Sequence, residues 1–132
     1  MKHDEATTID ELLSAARARL ERVTAEQAHA AMQAGAALID IRSDTQRARD
    51  GLIPGADFIA RNVLEWRLDP ACPHRDPELA RPDAPLILIC HEGYQSSLAA
   101  ATVQRFGYRS VTDVIGGFEA WRAAGLPIIP VL

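Results

Sequence analysis

The chain has no run of apolar residues near the length a bilayer crossing demands, and its start, MKHDEATTIDELL, lacks the apolar stretch of a secretory leader. The cytoplasm is therefore the expected location, and no membrane partner is expected. Cysteine is scarce: Cys72 and Cys90 cannot make the disulfide framework of a small secreted domain. No basic run stands out and the net charge is -4, which argues against a nucleic-acid surface. Metal motifs are missing as well. His3, His29, His74 and His91 are scattered, with neither CxxC nor HExxH, so neither a metal nor another cofactor is expected. There is no internal repeat and no low-complexity tract. What remains is ordinary: 132 residues, 48% hydrophobic and 24% charged, fit one globular domain with a single core.

Within that domain two periodicities follow one another. Ile9, Leu12, Leu13, Ala16, Leu20 and Val23 recur at helical spacing, so residues 8–21 read as an amphipathic helix. Thr8 with Glu11 forms a capping-box pattern at its start, and Thr24 with Gln27 repeats it before a second helix closed by Gly35. Residues 1–21 are thus assigned to an N-terminal amphipathic helix and 22–132 to the domain proper. Between the two helices Arg22–Thr24 offer an edge strand at most. The N-terminal helix packs either on its own domain or on a second copy, so monomer and homodimer both stay open.

Then the rhythm shortens. ALIDI (37–41), ADFIA (56–60), LILIC (86–90) and VTDVI (111–115) are brief apolar or β-branched runs, separated by helix-compatible stretches at 44–50, 61–68, 96–106 and 117–124. Alternating strands and helices predict an α/β fold: a central, mainly parallel sheet of about five strands, flanked by helices on both faces. Residues 69–85 hold five of the eight prolines and read as a surface loop. In such sheets ligands bind beyond the carboxyl ends of the strands. Arg42, Arg61 and Cys90 each follow or end a strand, which would bring two guanidinium groups and a thiol to one edge.

Cys90 ends its apolar run and precedes the turn HEGYQSS, after which a helix begins. Unpaired N–H groups and the helix dipole favour negative charge in that position, and so favour the thiolate, the nucleophilic form. Read from this segment alone, Cys90 is equally a small buried hydrophobe.

Four segments, in order, resemble the single-domain rhodaneses, a sulfurtransferase family. They are DIR (40–42), GLIPGA (51–56), the loop CHEGYQSS (90–97) and GGFEAWRAAGLPI (116–128). The resemblance implies a rhodanese-like fold and two transfers through Cys90. The thiolate takes sulfane sulfur from a small-molecule donor, forming a persulfide, and passes it to a thiol or cyanide acceptor or to a protein acceptor. Backbone amides of His91, Glu92, Gly93, Tyr94, Gln95 and Ser96 would form the anion-holding loop around Cys90. Gly93 permits the curl, and Ser96 and Ser97 either cap the helix or donate to the anion.

The loop also departs from the family pattern. Where many rhodaneses have arginine one and five residues after the cysteine, this chain has His91 and Gln95, and Glu92 adds a negative charge. Backbone amides then replace bidentate guanidinium donors, and Arg61 is the cation left to draw an anion to the mouth. The cysteine loops of related phosphatases carry arginine six residues after the cysteine; here Ser96 stands there, which argues against phosphoryl transfer. The arginine-free loop also defines the competing expectation, a rhodanese-like binding or regulatory module whose Cys90 does little chemistry. Cys72, beside Pro73 and His74, is either an incidental surface thiol or a resolving partner for Cys90.

Overall fold

The structure, a computed structural model, describes residues 6–132; residues 1–5, which open the predicted N-terminal segment and include His3, lie outside the described residues. Helices α1 (Ile9–Ala18) and α2 (Ala25–Gln33) start where the capping pairs placed them. Thr8 and Thr24 each accept from the N3 amide while Glu11 and Gln27 reach back to the cap. The strands follow as β1 (Ala37–Asp40), β2 (Asp57–Phe58), β3 (Leu86–Ile89) and β4 (Val111–Asp113). Between and after them lie α3 (Asp44–Asp50), a 3-10 turn at Arg61–Val63, α4 (Leu64–Leu68), α5 (Gln95–Gln104) and α6 (Gly117–Ala123).

The sheet is parallel throughout, in the order β2-β1-β3-β4, and it has four strands rather than about five. The missing strand is Val23, which makes a single parallel bridge to Val114 beside β4. Thr24 caps α2 at once, so the chain leaves the edge after one residue. The run ADFIA shrinks for a related reason. Pro54 and Gly55 turn the chain just before it and the 3-10 turn follows at Arg61, leaving a two-residue exposed edge strand.

Strand parity divides the core. Leu86, Leu88 and Cys90 point with Ile39 and Ile41 toward Leu64, Leu68, Ala99, Ala100 and Val103, beneath α4 and α5. Ile87 and Ile89 point the other way, with Leu38, toward Ala25, Ala28, Phe118 and Trp121 of α2 and α6. The two-residue repeat of the pleat therefore sends Cys90 to the α5 face. Asp113 shares the parity of Val111, which lies on that same face, and Leu88 is its partner across β3 and β4. Helix α1 docks onto its own domain: Leu20 packs against the first cluster and Gln104 of α5 donates to the Arg19 carbonyl. No helix among the described residues is long and apolar enough to cross a membrane.

Candidate active site

Cys90 follows the central strand β3 directly and is 2% exposed. It borders a cleft of about 250 Å³ walled by Gln46, His91, Glu92, Tyr94 and Gln95. Its thiol donates to Ser96 Oγ at 3.2 Å, and the Gly93 N–H donates to Sγ at 3.1 Å. The loop can curl this tightly because two glycines meet beneath it. A Cβ on Gly93 (φ +85°) would lie 2.8 Å from Gly116 N, and one on Gly117 (φ +58°) would lie 2.5 Å from the Cys90 carbonyl oxygen. The first amides of α6 then hold the loop from below, Phe118 N–H on the Cys90 carbonyl and Glu119 N–H on that of His91.

The amides of Glu92, Tyr94, Gln95 and Ser96 find no hydrogen-bond acceptor among the described residues. They lie in the turn between Cys90 and the first turn of α5, where unpaired N–H groups favour negative charge. Ser96 and Ser97 do not cap that helix, whose N-cap residue Tyr94 has no side-chain bond. Their hydroxyls turn inward instead and donate to Asp113 Oδ2 at 2.7 and 2.8 Å. Asp113 is fully buried and is gripped by Arg22, Nε to Oδ1 at 2.8 Å and Nη2 to Oδ2 at 3.2 Å.

The proposed edge of two guanidinium groups and a thiol does not assemble. Arg42 is fully buried, donates to Asp40 and to the Gly51 carbonyl, and stacks 3.8 Å from the Phe118 ring centre. Arg61 lines a neighbouring cleft of about 440 Å³ that shares Gln46 and Gln95 with the cysteine cleft, and it pairs with Glu65 at 2.8 Å. His91 faces Asp50 and Glu119 at 3.9 and 3.5 Å. These three are grouped closely enough to hold a metal ion, but Arg49 and Arg122 already pair with the two carboxylates. The group therefore works as an ion-pair network. The Arg49 hydrogen bond holds the Asp50 carboxyl down to about 2, against burial and with help from Arg122 and His91. Cys72 borders a separate cleft with Glu65, Trp66, Asp69 and Phe106.

Sequence reasoning named the loop but missed Gln46, Asp113, Arg22 and Arg17. Asp113 carried a signal, an acidic residue at a core-facing position of a strand that its neighbours mark as buried. Arg17 and Arg22 carried none, because their partners lie 71 to 91 residues away.

The fold is a parallel sheet whose central strand leads into a buried thiol, on a loop that a glycine pair supports. The match to the rhodanese-like domain family spans residues 24–124, and the chain belongs to that family, among the rhodanese-type sulfurtransferases. Particular relatives sharpen the placement. The chain is 32% identical to thiosulfate sulfurtransferase GlpE of Haemophilus influenzae, over 82% of this chain and 93% of that protein. It is 35% identical to GlpE of Pseudomonas savastanoi pv. phaseolicola, over 78% of this chain and 88% of that one. Among solved structures it resembles RPA3614 of Rhodopseudomonas palustris, described as of unknown function and a possible tyrosine phosphatase. That match has TM-score 0.86 and 35% identity, and covers 97% and 98% of the two chains.

Proposed function

We propose that the protein moves sulfane sulfur through a Cys90 persulfide. The supporting observation is the Cys90 thiol at the carboxyl end of β3, bonded by Gly93 N–H and followed by a turn with free amides. In the first half-reaction the Cys90 thiolate attacks the outer sulfur of a donor such as thiosulfate. A new S–S bond forms, the old one breaks, and sulfite leaves with the bonding pair. In the second, cyanide or a thiolate attacks the terminal sulfur of the persulfide. It leaves as thiocyanate or as a new persulfide, and the Cys90 thiolate is restored. Cytoplasmic residence, where thiols stay reduced, belongs to the same proposal.

The free amides and the α5 N-terminus would hold the donor anion and the persulfide charge. Exposed Glu92 at the rim disfavours a dianion, and Arg61 is engaged with Glu65. Thiosulfate is therefore expected to be a poorer donor than a low-molecular-weight organic persulfide, whose sulfane group carries one charge at most; inorganic polysulfide, also a dianion, is the control. Steady-state assays with these donors and with cyanide as acceptor test the reading. Turnover that Cys90→Ser abolishes supports it. No turnover with any donor, from protein whose Cys90 is free and reactive, would instead support a binding or regulatory module. A phosphatase activity lacks its cation, since Ser96 occupies the position six residues after the cysteine and is bonded to Asp113.

A further inference from the structure

We propose that Arg22, assisted by Arg17, is a positioning residue for the reactive sulfur: it cancels the charge of buried Asp113 and fixes the cysteine loop from outside the family core. Both arginines precede residue 24, where the family match begins. The proposal rests on Cys90 being the sulfur carrier, and deepens that reading by naming what sets the sulfur's electrostatic surroundings.

Three contacts make the argument. First, Cys90, Ser96 and Asp113 form a hydrogen-bonded chain, 3.2 Å from Sγ to the hydroxyl and 2.7 Å from the hydroxyl to the carboxylate. A carboxylate two hydrogen bonds from a thiolate opposes its ionisation unless a cation neutralises it. Second, Arg22 supplies that cation in a two-point contact on Asp113, 2.8 and 3.2 Å. It reaches the site because Val23, the next residue, is locked beside β4: Val23 N–H donates to the Asp113 carbonyl and Ile115 N–H to that of Val23. Third, Arg22 Nη2 and Arg17 Nη2 both donate to the Gly93 carbonyl, at 2.9 and 2.8 Å. The residue whose N–H faces Sγ is thereby held at its other end, and Arg17 Nε also donates to Ser97 Oγ at 3.2 Å. The loop contains no arginine of its own, so these cations approach from behind it.

The other charged groups around Cys90 are His91 and Glu92 of the loop and, beyond His91, Asp50 of α3 with Glu119 and Arg122 of α6. On the far side of β3 stand Asp40 and Arg42, with Arg47 3.6 Å from the same carboxylate. None of these touches Ser96 or Asp113 in the hydrogen-bond network. Because Arg22 also holds the Gly93 carbonyl and Asp113 the two serines, the double variant separates the charge of the pair from these contacts.

The test measures the pH dependence of Cys90 alkylation by iodoacetamide in full-length protein carrying Cys72→Ser. Neutralising the cation with Arg22→Gln should raise the midpoint by about one pH unit, and neutralising the anion with Asp113→Asn should lower it. The double variant should return near the parent, and Arg22→Lys should keep most of the parent's value. Thiolate-dependent sulfur transfer by Arg22→Gln should fall about tenfold at neutral pH and recover at high pH. Shifts of the same sign in the two single variants, or none in either, would overturn the proposal. If Arg22→Gln does not fold, Asp113→Asn and the double variant decide the matter: an unmoved or raised midpoint in Asp113→Asn contradicts it. Alkylation needs no sulfur donor, so a failed sulfurtransferase assay leaves this readout standing.

Discussion

Two carboxylate–guanidinium pairs flank the cysteine strand, one on each side, and they do different work. On β1, Asp40 binds Arg42, two residues on, in a fully buried pair that also fastens the Gly51 carbonyl and stacks on Phe118. Next to it Leu52 and Ile129 exchange hydrogen bonds, so this pair ties the GLIPGA turn and the C-terminal segment to the sheet. On β4, Asp113 binds Arg22 from a distant linker, and its second duty is to receive Ser96 and Ser97 beneath the sulfur. The same chemistry builds a scaffold on one side and an electrostatic setting on the other. Each guanidinium also holds a backbone carbonyl, Gly51 for Arg42 and Gly93 for Arg22; what separates the pairs is the remaining partner, a phenyl ring for Arg42 and the Ser96 and Ser97 hydroxyls for Asp113.

The largest effect should come from breaking the scaffold pair. Arg42→Ala takes from buried Asp40 its two-point guanidinium partner, leaving the residue-42 N–H and Arg47 at 3.6 Å, and should cost about 3 kcal/mol of stability, read by chemical denaturation. In the fraction that remains folded, Cys90 alkylation should keep the parent's pH midpoint. A midpoint displaced as far as by Arg22→Gln would erase the distinction between the pairs.

A smaller loss is expected at the glycine contact that both halves of the site share. Gly117→Ala places a Cβ against the Cys90 carbonyl at positive φ and should cost about 1–3 kcal/mol in thermal or chemical melts. Unlike Arg42→Ala, it should also change Cys90 alkylation in the folded protein, because it pushes on the loop itself.

Ser97→Ala removes one of two hydroxyls from Asp113 while Arg22 and Ser96 still satisfy the carboxylate, so about 1 kcal/mol should be lost. Ser96→Ala should weaken stability similarly but alter the alkylation profile more, since of the two serines it is Ser96 that touches Sγ.

The smallest effect lies at the rim. Asp50 titrates at about 2 in the folded protein against an ordinary value of 3.8, so the folded state favours its ionised form. Its contribution to stability is complete above about pH 4 and is lost as the pH falls toward about 2. Asp50→Asn should flatten that acid limb of the stability curve and leave the neutral region nearly unchanged.

The two pairs also explain what could be read from the sequence. Asp40–Arg42 is local, two residues apart along a strand end, so DIR announces itself, as do the capping boxes at Thr8 and Thr24 and the glycines of CHEG and GGF. The place of Cys90 just past the central strand was legible because LILIC ends where the turn begins. Asp113–Arg22 was not, because its partners meet only through the Val23–Val114 bridge, a contact one residue long. That same bridge is the strand that failed to form, and ADFIA likewise has strand composition without room for more than two paired residues. Whether a guanidinium reaches the sheet edge or turns into the core depends on packing. Arg42 went inward onto Phe118, and Arg61 turned to Glu65.

The central claim is that Cys90 carries sulfur, and intact-mass measurement of the protein after incubation with a sulfane donor addresses it most directly. The expected result is a gain of one sulfur atom, mapped to Cys90, removed by cyanide and absent from Cys90→Ser. An unchanged mass across thiosulfate, polysulfide and low-molecular-weight persulfide donors, with Cys90 free and reactive, would contradict it.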